Sequence, residues 1–436
     1  MNFKRLIEID FTLFFSSLIL TFFGILMIYS SGINSAGVLV SNEYIKQVVF
    51  AVIGLVFIGL LVIFDYRRLY DYAEYFYAFF LLLVLYTVFF GKLVNGARAW
   101  IGFGNFGIQP SEFLKIATII LLAKYLENSQ RSEEPLRRFI IASLIVLLPM
   151  LFILLQPDLG TALVFIPILL VTCFVAGITK RYIVYTILLI GFTGFFTILP
   201  LWQVHILKGA MPFLKIFQNI KIVIVLELSM ILITGIAWYG FKRYRKNYFY
   251  WIVYVLSILI LSLFASMAAH KVLKDYQIMR LIVFLDPYID PKGSGWNIIQ
   301  SVTAIGSGGF LGKGFLQGTQ SHYRFLPQQS TDFIFSIFSE EMGFLGGLLL
   351  FSLFLLILLR LLNIMKTTSD PFGAYIAAGF SSMLAFHFMI NVGMTMGIMP
   401  ITGIPLIFLS YGGSSLLSTL LGIGISLSIY VRRFEH

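Results

Sequence analysis

Long apolar runs alternate with short polar segments along nearly the whole chain, and this pattern predicts the secondary structure. A helix needs about 20 predominantly apolar residues to cross the hydrocarbon layer of a membrane. Runs of that kind lie at 11–31, 45–64, 73–91, 110–126, 138–155, 160–178, 182–201, 220–239, 249–270, 333–362, 373–393 and 404–431. The chain is therefore predicted to be an all-α, polytopic membrane helix bundle of about twelve transmembrane helices.

The basic residues between these runs predict how the bundle lies in the membrane. An even number of helices puts both termini on one side, and most lysines and arginines fall on that side. The short loops on the opposite side contain only Lys46, Lys92, Arg98, Lys208, Lys215 and Lys221. The basic residues on the side of the termini are Lys4, Arg5, Arg67, Arg68, Arg131, Arg137, Arg138, Lys180, Arg181, Lys242, Arg243, Arg245, Lys246, Arg360, Lys366, Arg432 and Arg433. Because cytoplasmic loops carry the excess of positive charge, both termini are predicted to be cytoplasmic. The first run follows Lys4 and Arg5 as in a signal peptide, but it is long and lacks a small-residue cleavage site, so it is interpreted as a retained helix.

Composition agrees with a membrane protein and removes other classes. Of the 436 residues, 59% are hydrophobic and 12% charged, which is too little polar surface to enclose one soluble core. The formal net charge of +11 follows from the basic loops, which lie against anionic lipid headgroups, so no nucleic-acid partner is predicted. The one cysteine, Cys173, lies in an apolar run and can form no disulfide within the chain.

Three polar segments lie on the predicted outer side, at 92–109, 156–160 and 271–332. The last is the longest polar stretch and is predicted to be a long extracytoplasmic loop within one integral-membrane domain, 1–436. If the chain carries out a reaction outside the cytoplasm, the reactive residues are expected in these segments.

Two glycine-rich stretches in these segments resemble phosphate-binding motifs without completing them. The stretch from Gly306 to Gly314 lacks the glycine and the hydroxyl that a phosphate loop requires at Ser307 and Gly314. The stretch from Gly102 to Gly107 matches Gly-x-Gly-x-x-Gly, but it lies between membrane helices without a strand–helix–strand context. It is interpreted as a chance match.

Asp332 is the most informative polar residue, because it lies where the long polar loop enters an otherwise apolar helix. Carboxylates at such positions are costly and usually functional. At about 100° per residue, one polar stripe forms that is predicted to face a cavity: Asp332, Ser336, Ser339, Glu340, Gly343 and Gly347. Desolvation would make Asp332 a stronger base, whereas a helix N-cap would bond the free N–H groups of the helix. The local sequence leaves both interpretations open.

Glu112 and Lys115 are three residues apart at the start of a predicted helix, so their side chains share one face within the membrane. They form either a structural ion pair or part of a substrate site, together with Arg98 and Trp100 just upstream. Asp158 either caps the helix that follows it or lines the same site.

Three other polar residues have one functional and one structural interpretation each. Lys313, within the glycine-rich stretch, either binds a phosphate group or is a solvated loop lysine. His387 and Asn391, four apart in one helix, are interpreted as interhelical hydrogen-bonding residues and not as ligands.

The sequence contains no His-Glu-x-x-His motif, cysteine pair or Asp-x-Asp pair, so no tight metal site is predicted.

Several motifs, taken in their order and spacing, resemble the SEDS family of bacterial cell-wall proteins (shape, elongation, division and sporulation). They are Gln109–Lys115, Gln156–Ala162, Gly295–Ser301, Ala304–Gly314, Gly318–Ser321, Thr331–Phe335, Pro400–Pro405 and Ser410–Ser415. Trp296-Asn297 and Gly318-Thr319-Gln320-Ser321 are more similar to the elongation branch of that family than to its division branch. The resemblance covers about 1–200 and 251–436.

Two departures from the family pattern change what the resemblance implies. The family is similar to a ten-helix bundle, so the count of about twelve predicts an inserted helical hairpin within 182–270. The segment 327–332 reads Pro-Gln-Gln-Ser-Thr-Asp, where relatives usually have Pro-Glu-x-His-Thr-Asp. The missing glutamate and histidine leave Asp332 as the candidate catalytic residue.

The resemblance implies a peptidoglycan glycosyltransferase that polymerises lipid II during cell elongation, on the outer face of the bacterial cytoplasmic membrane. Asp332 would be the base for the acceptor sugar hydroxyl. The remaining candidates would line the substrate site, and three of them would bind the leaving pyrophosphate: Arg98, Lys115 and Lys313, beside Trp100, Glu112 and Asp158. No cofactor is predicted with certainty, and the use of a divalent cation is left open.

The implied partners are lipid II, membrane lipids, a class B penicillin-binding transpeptidase and other membrane proteins of the elongation complex. Two alternatives remain open at this point. One is a lipid II flippase, which would use polar groups near the bilayer midplane such as Glu227, Glu340 and His387. The other is a non-catalytic activator of the transpeptidase.

Overall fold

The described part of the chain folds almost entirely into helices, with one small antiparallel sheet. The computed structural model describes residues 8–94, 96–103, 106–130, 133–205, 219–272 and 275–434. The helices are α1 (Phe11–Ser31), α2 (Glu43–Ile63), α3 (Arg68–Phe90), α4 (Pro110–Asn128), α5 (Pro135–Leu155), α6 (Leu159–Leu163), α7 (Phe165–Val175), α8 (Lys180–His205), α9 (Ile220–Tyr244), α10 (Asn247–Val272), α11 (Asp275–Leu285), α12 (Ser294–Ser307), α13 (Thr319–His322), α14 (Ile334–Thr367), α15 (Pro371–Thr395) and α16 (Gly413–Val431). The strands are β1 (Lys92–Val94), β2 (Ala97–Phe103) and β3 (Phe106–Ile108).

Each predicted apolar run contains a helix, which confirms the all-α membrane bundle. Among the described residues, 10 helices are long and apolar enough to cross a membrane. Two predicted spans fall outside this set. Helix α4 carries four charged residues, Glu112, Lys115, Lys124 and Glu127, and the run at 160–178 divides into the shorter helices α6 and α7. The number of membrane crossings therefore stays a prediction.

Two predicted segments, 404–431 and 271–332, differ in structure from the sequence-based expectation. The predicted helix at 404–431 is wrong over its first turns, since α16 begins at Gly413 and residues 401–405 have no regular structure. The predicted long loop at 271–332 contains the three helices α11, α12 and α13, and its place outside the cytoplasm stays a prediction. Of the basic residues used for the topology, those outside the described residues are Lys4, Arg5, Arg131, Lys208 and Lys215.

The sheet at 92–108 was not predicted. Its strands follow the order β1-β2-β3, with Lys92 opposite Trp100 and Gly102 opposite Gly107. The described residues of the Gly-x-Gly-x-x-Gly match therefore lie in paired antiparallel strands and not in a nucleotide-binding loop. Gly104 and Asn105 of the match lie outside the described residues. A Cβ atom at Gly107 would lie 3.1 Å from the Trp100 ring, so the indole covers this glycine.

The chain divides into two compact units. The first comprises residues 1–178 and 300–436, and the second comprises residues 179–299. In the first unit, α14 packs against α1 and α15, α15 packs against α4 and α7, and α3 packs against α4. In the second unit, α10 packs against both α8 and α9. The single-domain organisation and the inserted hairpin stay predictions.

Helices α2 and α16 of the first unit, far apart in sequence, pack closely along their length. A Cβ atom at Gly54 would lie 2.2 Å from the Leu420 side chain, and one at Gly413 would lie 2.1 Å from the Phe50 ring. At the end of α2, the buried Arg432 guanidinium donates to the carbonyl oxygens of residues 62 and 63, both at 3.1 Å. The last helix therefore packs against the second along one face and caps its C-terminal carbonyls.

Polar contacts of the first unit gather at two ends. The Asp10 end comprises the contacts Asp10–Arg360, Tyr66–Asp370 and Arg432–Val62, and the Gln47 end comprises Gln47–Ser410, Gln109–Asp158 and Gln329–Ser31. Helix α1 begins at the Asp10 end and α2 begins at the Gln47 end, and α14 and α16 run back from the Gln47 end. This alternation is what the topology prediction requires.

Candidate active site

Asp332 lies at the Gln47 end, in the turn immediately before α14, and it is half-buried. The N-cap of α14 is Phe333, which makes no side-chain capping bond. The backbone N–H of Asp332 donates to Gln328 O at 3.1 Å, which closes the turn. Asp332 is therefore not the N-cap of this helix, and one of its two sequence interpretations is wrong.

Asn391 of α15 holds the backbone of Asp332. Its side-chain amide nitrogen donates to Asp332 O at 3.0 Å and to Ile404 O at 2.8 Å. Asn391 has no exposed surface, and a carboxamide has two N–H donors, so these two carbonyls use both of them. One side chain thereby fixes the distance between the Asp332 turn and the segment around Ile404.

That segment, residues 404–411, runs beside the Asp332 turn, and we call it the brace. The Ser410 hydroxyl donates to Thr331 O at 2.5 Å, and Tyr411 N–H donates to Ser330 O at 2.8 Å. From the other side, Gln47 Nε2 donates to Ser410 O at 3.2 Å. Because the brace is not helical, its backbone groups are free to form these bonds with the turn.

A buried polar network reaches the brace from α4. Lys115 Nζ lies 2.9 Å from Glu112 Oε1 and 3.2 Å from His387 Nε2, while His387 Nδ1 lies 3.1 Å from Pro405 O. Because a carbonyl oxygen only accepts, Nδ1 of His387 carries the proton and Nε2 accepts from the lysine ammonium. The predicted ion pair and the predicted interhelical role of His387 are both confirmed. His387 and Asn391, one turn apart on α15, hold adjacent residues of the brace.

Asp158 caps α6, which confirms the structural interpretation of this residue. Its carboxylate accepts from Thr161 N at 3.0 Å, from the Thr161 hydroxyl at 2.7 Å and from Gln109 Nε2 at 3.0 Å. Burial raises the pKa of the Asp158 carboxyl above its ordinary value, and the Thr161 donors act in the opposite direction. The bond from Gln109 joins this cap to the start of α4.

Lys313 is not a solvated loop lysine, because its ammonium forms an ion pair within the protein. Its ammonium donates to Glu340 Oε1 and to the Thr319 hydroxyl, both at 2.7 Å. Glu340 is completely buried and also accepts from Thr319 N at 2.9 Å and from Gln320 N at 3.1 Å. The charge expected to bind a phosphate is thus paired with a carboxylate of the chain itself, and the phosphate contact of Lys313 stays a prediction.

The polar stripe on α14 packs against protein at Ser336 and again around Gly343. The hydroxyls of Ser336 and Ser301 are 2.6 Å apart. Gly343 interrupts the helix with a left-handed backbone (φ +64°), and its neighbours bond to the glycine-rich segment: Lys313 N to Glu340 O at 3.0 Å and Phe344 N to Gly309 O at 2.9 Å. The stripe therefore ends at this break.

Gly343→Ala is expected to destabilise the protein by at least about 1–3 kcal/mol, because alanine is strained at this φ. Its Cβ atom would also lie 2.2 Å from Gly312 N. Thermal unfolding in detergent measures the effect. The matched control is Gly347→Ala, one turn later in regular helix with nothing within 4 Å of the new Cβ; there we expect no loss. Equal melting temperatures for the two variants would contradict this account of the break.

Arg98 and Trp100 lie on β2, which leads through β3 and Gln109 into α4. Arg98 is exposed, and within the described part of the chain no carboxylate forms an ion pair with it. Of the predicted site residues, the structure joins Glu112 directly to Lys115 and links this pair to the Asp332 turn through the brace. Lys313 belongs to the separate Glu340 cluster.

Sequence reasoning missed Gln47, Gln109 and Ser410 as parts of the site. Gln47 and Ser410 are both buried. The Gln47 side chain donates to the backbone of the brace, and Ser410 is itself a residue of the brace, where its hydroxyl accepts from Leu406 N. Gln47 was detectable, since an amide inside an apolar run normally has a polar partner. The pairing of Ser410 with Thr331 had no local signal, because the two residues are 79 positions apart.

Comparison with known proteins places the chain among bacterial cell-wall proteins. A family model for FtsW, RodA and SpoVE, described as cell cycle protein, matches residues 11–221 and 219–434. Peptidoglycan glycosyltransferase RodA of Treponema pallidum is 50% identical over 433 residues, covering 99% of this chain and 100% of that protein. Stage V sporulation protein E of Bacillus subtilis is 34% identical over 426 residues (96% of each), and peptidoglycan glycosyltransferase MrdB of Escherichia coli K12 is 30% identical over 367 residues (84% and 80%).

Solved structures with the same fold agree. A chain from a peptidoglycan synthase complex, described for its coordination of polymerization and crosslinking, matches with a TM-score of 0.68 and 27% identity over 98% of this chain and 99% of that one. Rod shape determining protein RodA of Thermus thermophilus matches with a TM-score of 0.60 and 24% identity, over 98% of each chain.

Proposed function

Since the chain belongs to the FtsW/RodA/SpoVE family of cell cycle proteins, we propose that it is a peptidoglycan glycosyltransferase of cell elongation whose chemistry takes place at Asp332. The substrate is lipid II, the disaccharide-peptide carried on undecaprenyl pyrophosphate. The observation that carries the proposal is the set of bonds on the Asp332 turn from Asn391, Ser410 and Tyr411. A base must be held in reach of the proton it removes, and this backbone is held by hydrogen bonds from both α15 and the brace.

The reaction assigned to Asp332 is proton removal from the acceptor sugar. The acceptor hydroxyl gives its proton to the Asp332 carboxylate while its oxygen attacks the anomeric carbon of the donor. The bond from that carbon to the pyrophosphate oxygen breaks, and undecaprenyl pyrophosphate leaves with the bonding electron pair. Each cycle adds one disaccharide to the glycan strand.

The leaving pyrophosphate needs positive charge near it. Of the three cations considered, Lys115 and Lys313 hold Glu112 and Glu340 respectively, whereas Arg98 is exposed on β2. We therefore assign the first contact with the pyrophosphate to Arg98. Within the described ranges, no three His, Cys, Asp or Glu side chains are grouped to hold a metal ion. The test therefore includes a chelator, which shows whether the reaction needs a divalent cation.

The Gln47 end is proposed to face the outside of the bacterial cytoplasmic membrane, with both termini in the cytoplasm. The excess of basic residues on the other side of the helices supports this orientation. The partner is proposed to be a class B penicillin-binding transpeptidase, within an elongation complex of membrane proteins. A related fold found in a complex that couples polymerization to crosslinking supports such a pairing.

The proposal is tested by reconstituting the full chain with its transpeptidase partner and purified lipid II, with and without chelator. We expect glycan strands, detected by gel electrophoresis after labelling the peptide. Labelled lipid II that crosses proteoliposome membranes without forming polymer would instead indicate a flippase. That alternative has less support, because Glu340 and His387 are bonded to Lys313 and Lys115. Crosslinking stimulated without any polymer from this chain would indicate a non-catalytic activator.

Asn391→Ala is expected to slow polymerisation on the order of 10²-fold with little change in KM. The substitution removes the bond from α15 to the Asp332 turn and one bond from α15 to the brace, so the base would be held less firmly. The measurement is the initial rate of polymer formation over a range of lipid II concentrations.

Ser382→Ala is the matched control for Asn391→Ala. Ser382 is buried on the same helix, but its hydroxyl bonds only to Gly379 O within α15, at 2.7 Å. We expect normal rates from this control, and partial recovery from Asn391→Gln, which keeps the amide. Wild-type rates in Asn391→Ala would show that the bonds to the turn do not position Asp332.

A further inference from the structure

A dense group of cations lies at one end of the second unit, where α9 turns into α10. Lys242, Arg243, Arg245 and Lys246 occupy four of five successive positions, and all four are exposed. We call residues 242–246 the basic turn. Arg245 ends α9 in a left-handed conformation (φ +50°), with its N–H donating to Phe241 O. The turn is therefore a compact, defined structure that presents its charges together.

The start of α8 adds further positive charge at this end. Helix α8 packs against α10, and the Tyr254 hydroxyl donates to Arg181 O at 2.9 Å. The Arg181 guanidinium lies 5.7 Å from the centroid of the Tyr250 ring and 5.9 Å from that of Trp251. These rings hold Arg181 beside the first turn of α10, which follows the basic turn directly.

These charges have no nearby acidic counterpart among the described residues of their own three helices. Across the described residues of α8, α9 and α10, the only carboxylate is Glu227, which precedes Lys242 by 15 residues and so lies about 22 Å away along the helix. No described carboxylate forms an ion pair with any member of the basic turn. The Asp10 end of the first unit differs, since there Arg360 pairs with Asp10 at 2.6 Å and Arg432 lies 3.6 Å from Asp65.

Large aromatic side chains surround the basic turn and point away from the protein. Trp238, Tyr244, Tyr248 and Trp251 are 56%, 64%, 58% and 50% exposed. Amphipathic rings of this kind are typical of the headgroup layer of a membrane. Lys242 Nζ lies 5.6 Å from the Trp238 ring centroid, so the ring and the cation occupy the same depth.

We propose that the basic turn, together with Arg181, binds the phosphate groups of anionic phospholipids. Lipid phosphates supply the missing negative charge, and clustered cations next to a membrane helix attract them strongly. The ring of exposed aromatic residues favours a lipid headgroup over an acidic protein segment, because the rings place these cations at headgroup depth. This assigns a lipid-binding role to the region in which the sequence predicts an inserted hairpin.

The test measures lipid retention by the full chain in detergent, using native mass spectrometry. Phosphatidylglycerol and phosphatidylcholine are added separately to the wild type and to a variant with Lys242→Gln, Arg243→Gln, Arg245→Gln and Lys246→Gln. We expect the wild type to prefer phosphatidylglycerol and the variant to bind it at least about tenfold more weakly. Higher salt should weaken binding to the wild type and change the variant little.

A control variant that loses exposed cations elsewhere separates this site from a general effect of net charge. Arg68→Gln, Arg137→Gln and Lys366→Gln remove three exposed cations from the first unit, and we expect this variant to bind phosphatidylglycerol like the wild type. Polymerisation by each variant shows that it is folded, since none of these residues belongs to the proposed catalytic machinery. Equal phosphatidylglycerol binding by the fourfold variant and the wild type would overturn the proposal. So would an acidic peptide that binds the wild-type turn while phosphatidylglycerol does not.

Discussion

Asp332→Asn is expected to abolish glycan polymerisation while leaving the protein folded. An asparagine cannot take the proton of the acceptor hydroxyl, and a positioned general base contributes at least about 10²-fold to rate. The fold should survive because Asn391 bonds to the backbone carbonyl of Asp332 and Ser410 bonds to that of Thr331. Neither bond depends on the carboxylate. The measurement is polymer formed from purified lipid II in the presence of the transpeptidase partner, beside the thermal unfolding of each protein.

Asp286→Asn is the matched control for this substitution. Asp286 also lies in the long polar stretch, where its carboxylate accepts from Tyr288 N at 2.9 Å and caps a short 3-10 turn. Asparagine can accept the same bond, so polymerisation should continue at the wild-type rate. Polymer of normal length and amount from Asp332→Asn would refute the assignment of Asp332 as the base.

Lys115→Met is expected to destabilise the protein by about 3–5 kcal/mol, because it leaves the Glu112 carboxylate buried without its cation. Lys115 and Glu112 are 1% and 6% exposed, so water cannot replace the lost partner. The substitution also removes the donor to His387 Nε2. Chemical unfolding in detergent measures the loss of stability.

Two comparisons show what the Glu112–Lys115 pair does. The double variant Glu112→Leu with Lys115→Met should recover most of the stability, since no buried charge remains. Lys124→Met on the same helix breaks the more exposed pair with Glu74 (15% and 56% exposed) and should cost less than about 1 kcal/mol. If the double variant is stable but fails to polymerise lipid II, the pair contacts substrate as well as supporting the fold. A Lys115→Met loss no larger than that of Lys124→Met would contradict the buried ion pair.

The helices were predictable because membrane hydrocarbon imposes a simple length and polarity on each span. The brace was not predictable, because most of its residues are as apolar as those of a membrane helix and Pro405 is its one helix-breaking residue. In the structure Phe408 adopts a left-handed backbone (φ +70°), and several hydrogen bonds of the brace go to distant segments. The sheet at 92–108 was missed because two of its three strands have only 3 residues each.

The candidate site was predictable where its chemistry is local. Glu112 and Lys115 share a helix face, and Asp158 directly precedes the helix that it caps, so spacing alone indicated both arrangements. Contacts between distant segments leave no such signal: Lys313 and Glu340 are 27 positions apart, and Asn391 and Asp332 are 59 apart. Counting the charged residues in the sequence could not show that Glu340 pairs with Lys313, the lysine expected to bind phosphate.

The packing of α16 on α2 affects the order in which the molecule can be assembled during synthesis. Helix α2 enters the membrane early, but the Leu420 side chain that fills the space beside Gly54 and the Arg432 guanidinium that bonds to its final carbonyls come from the last part of the chain. Until translation is complete, Gln47 also lacks its partner Ser410. One face of α2 therefore stays without its packing partner until α16 has been made, and a chain that stops before α16 is expected to lack these contacts.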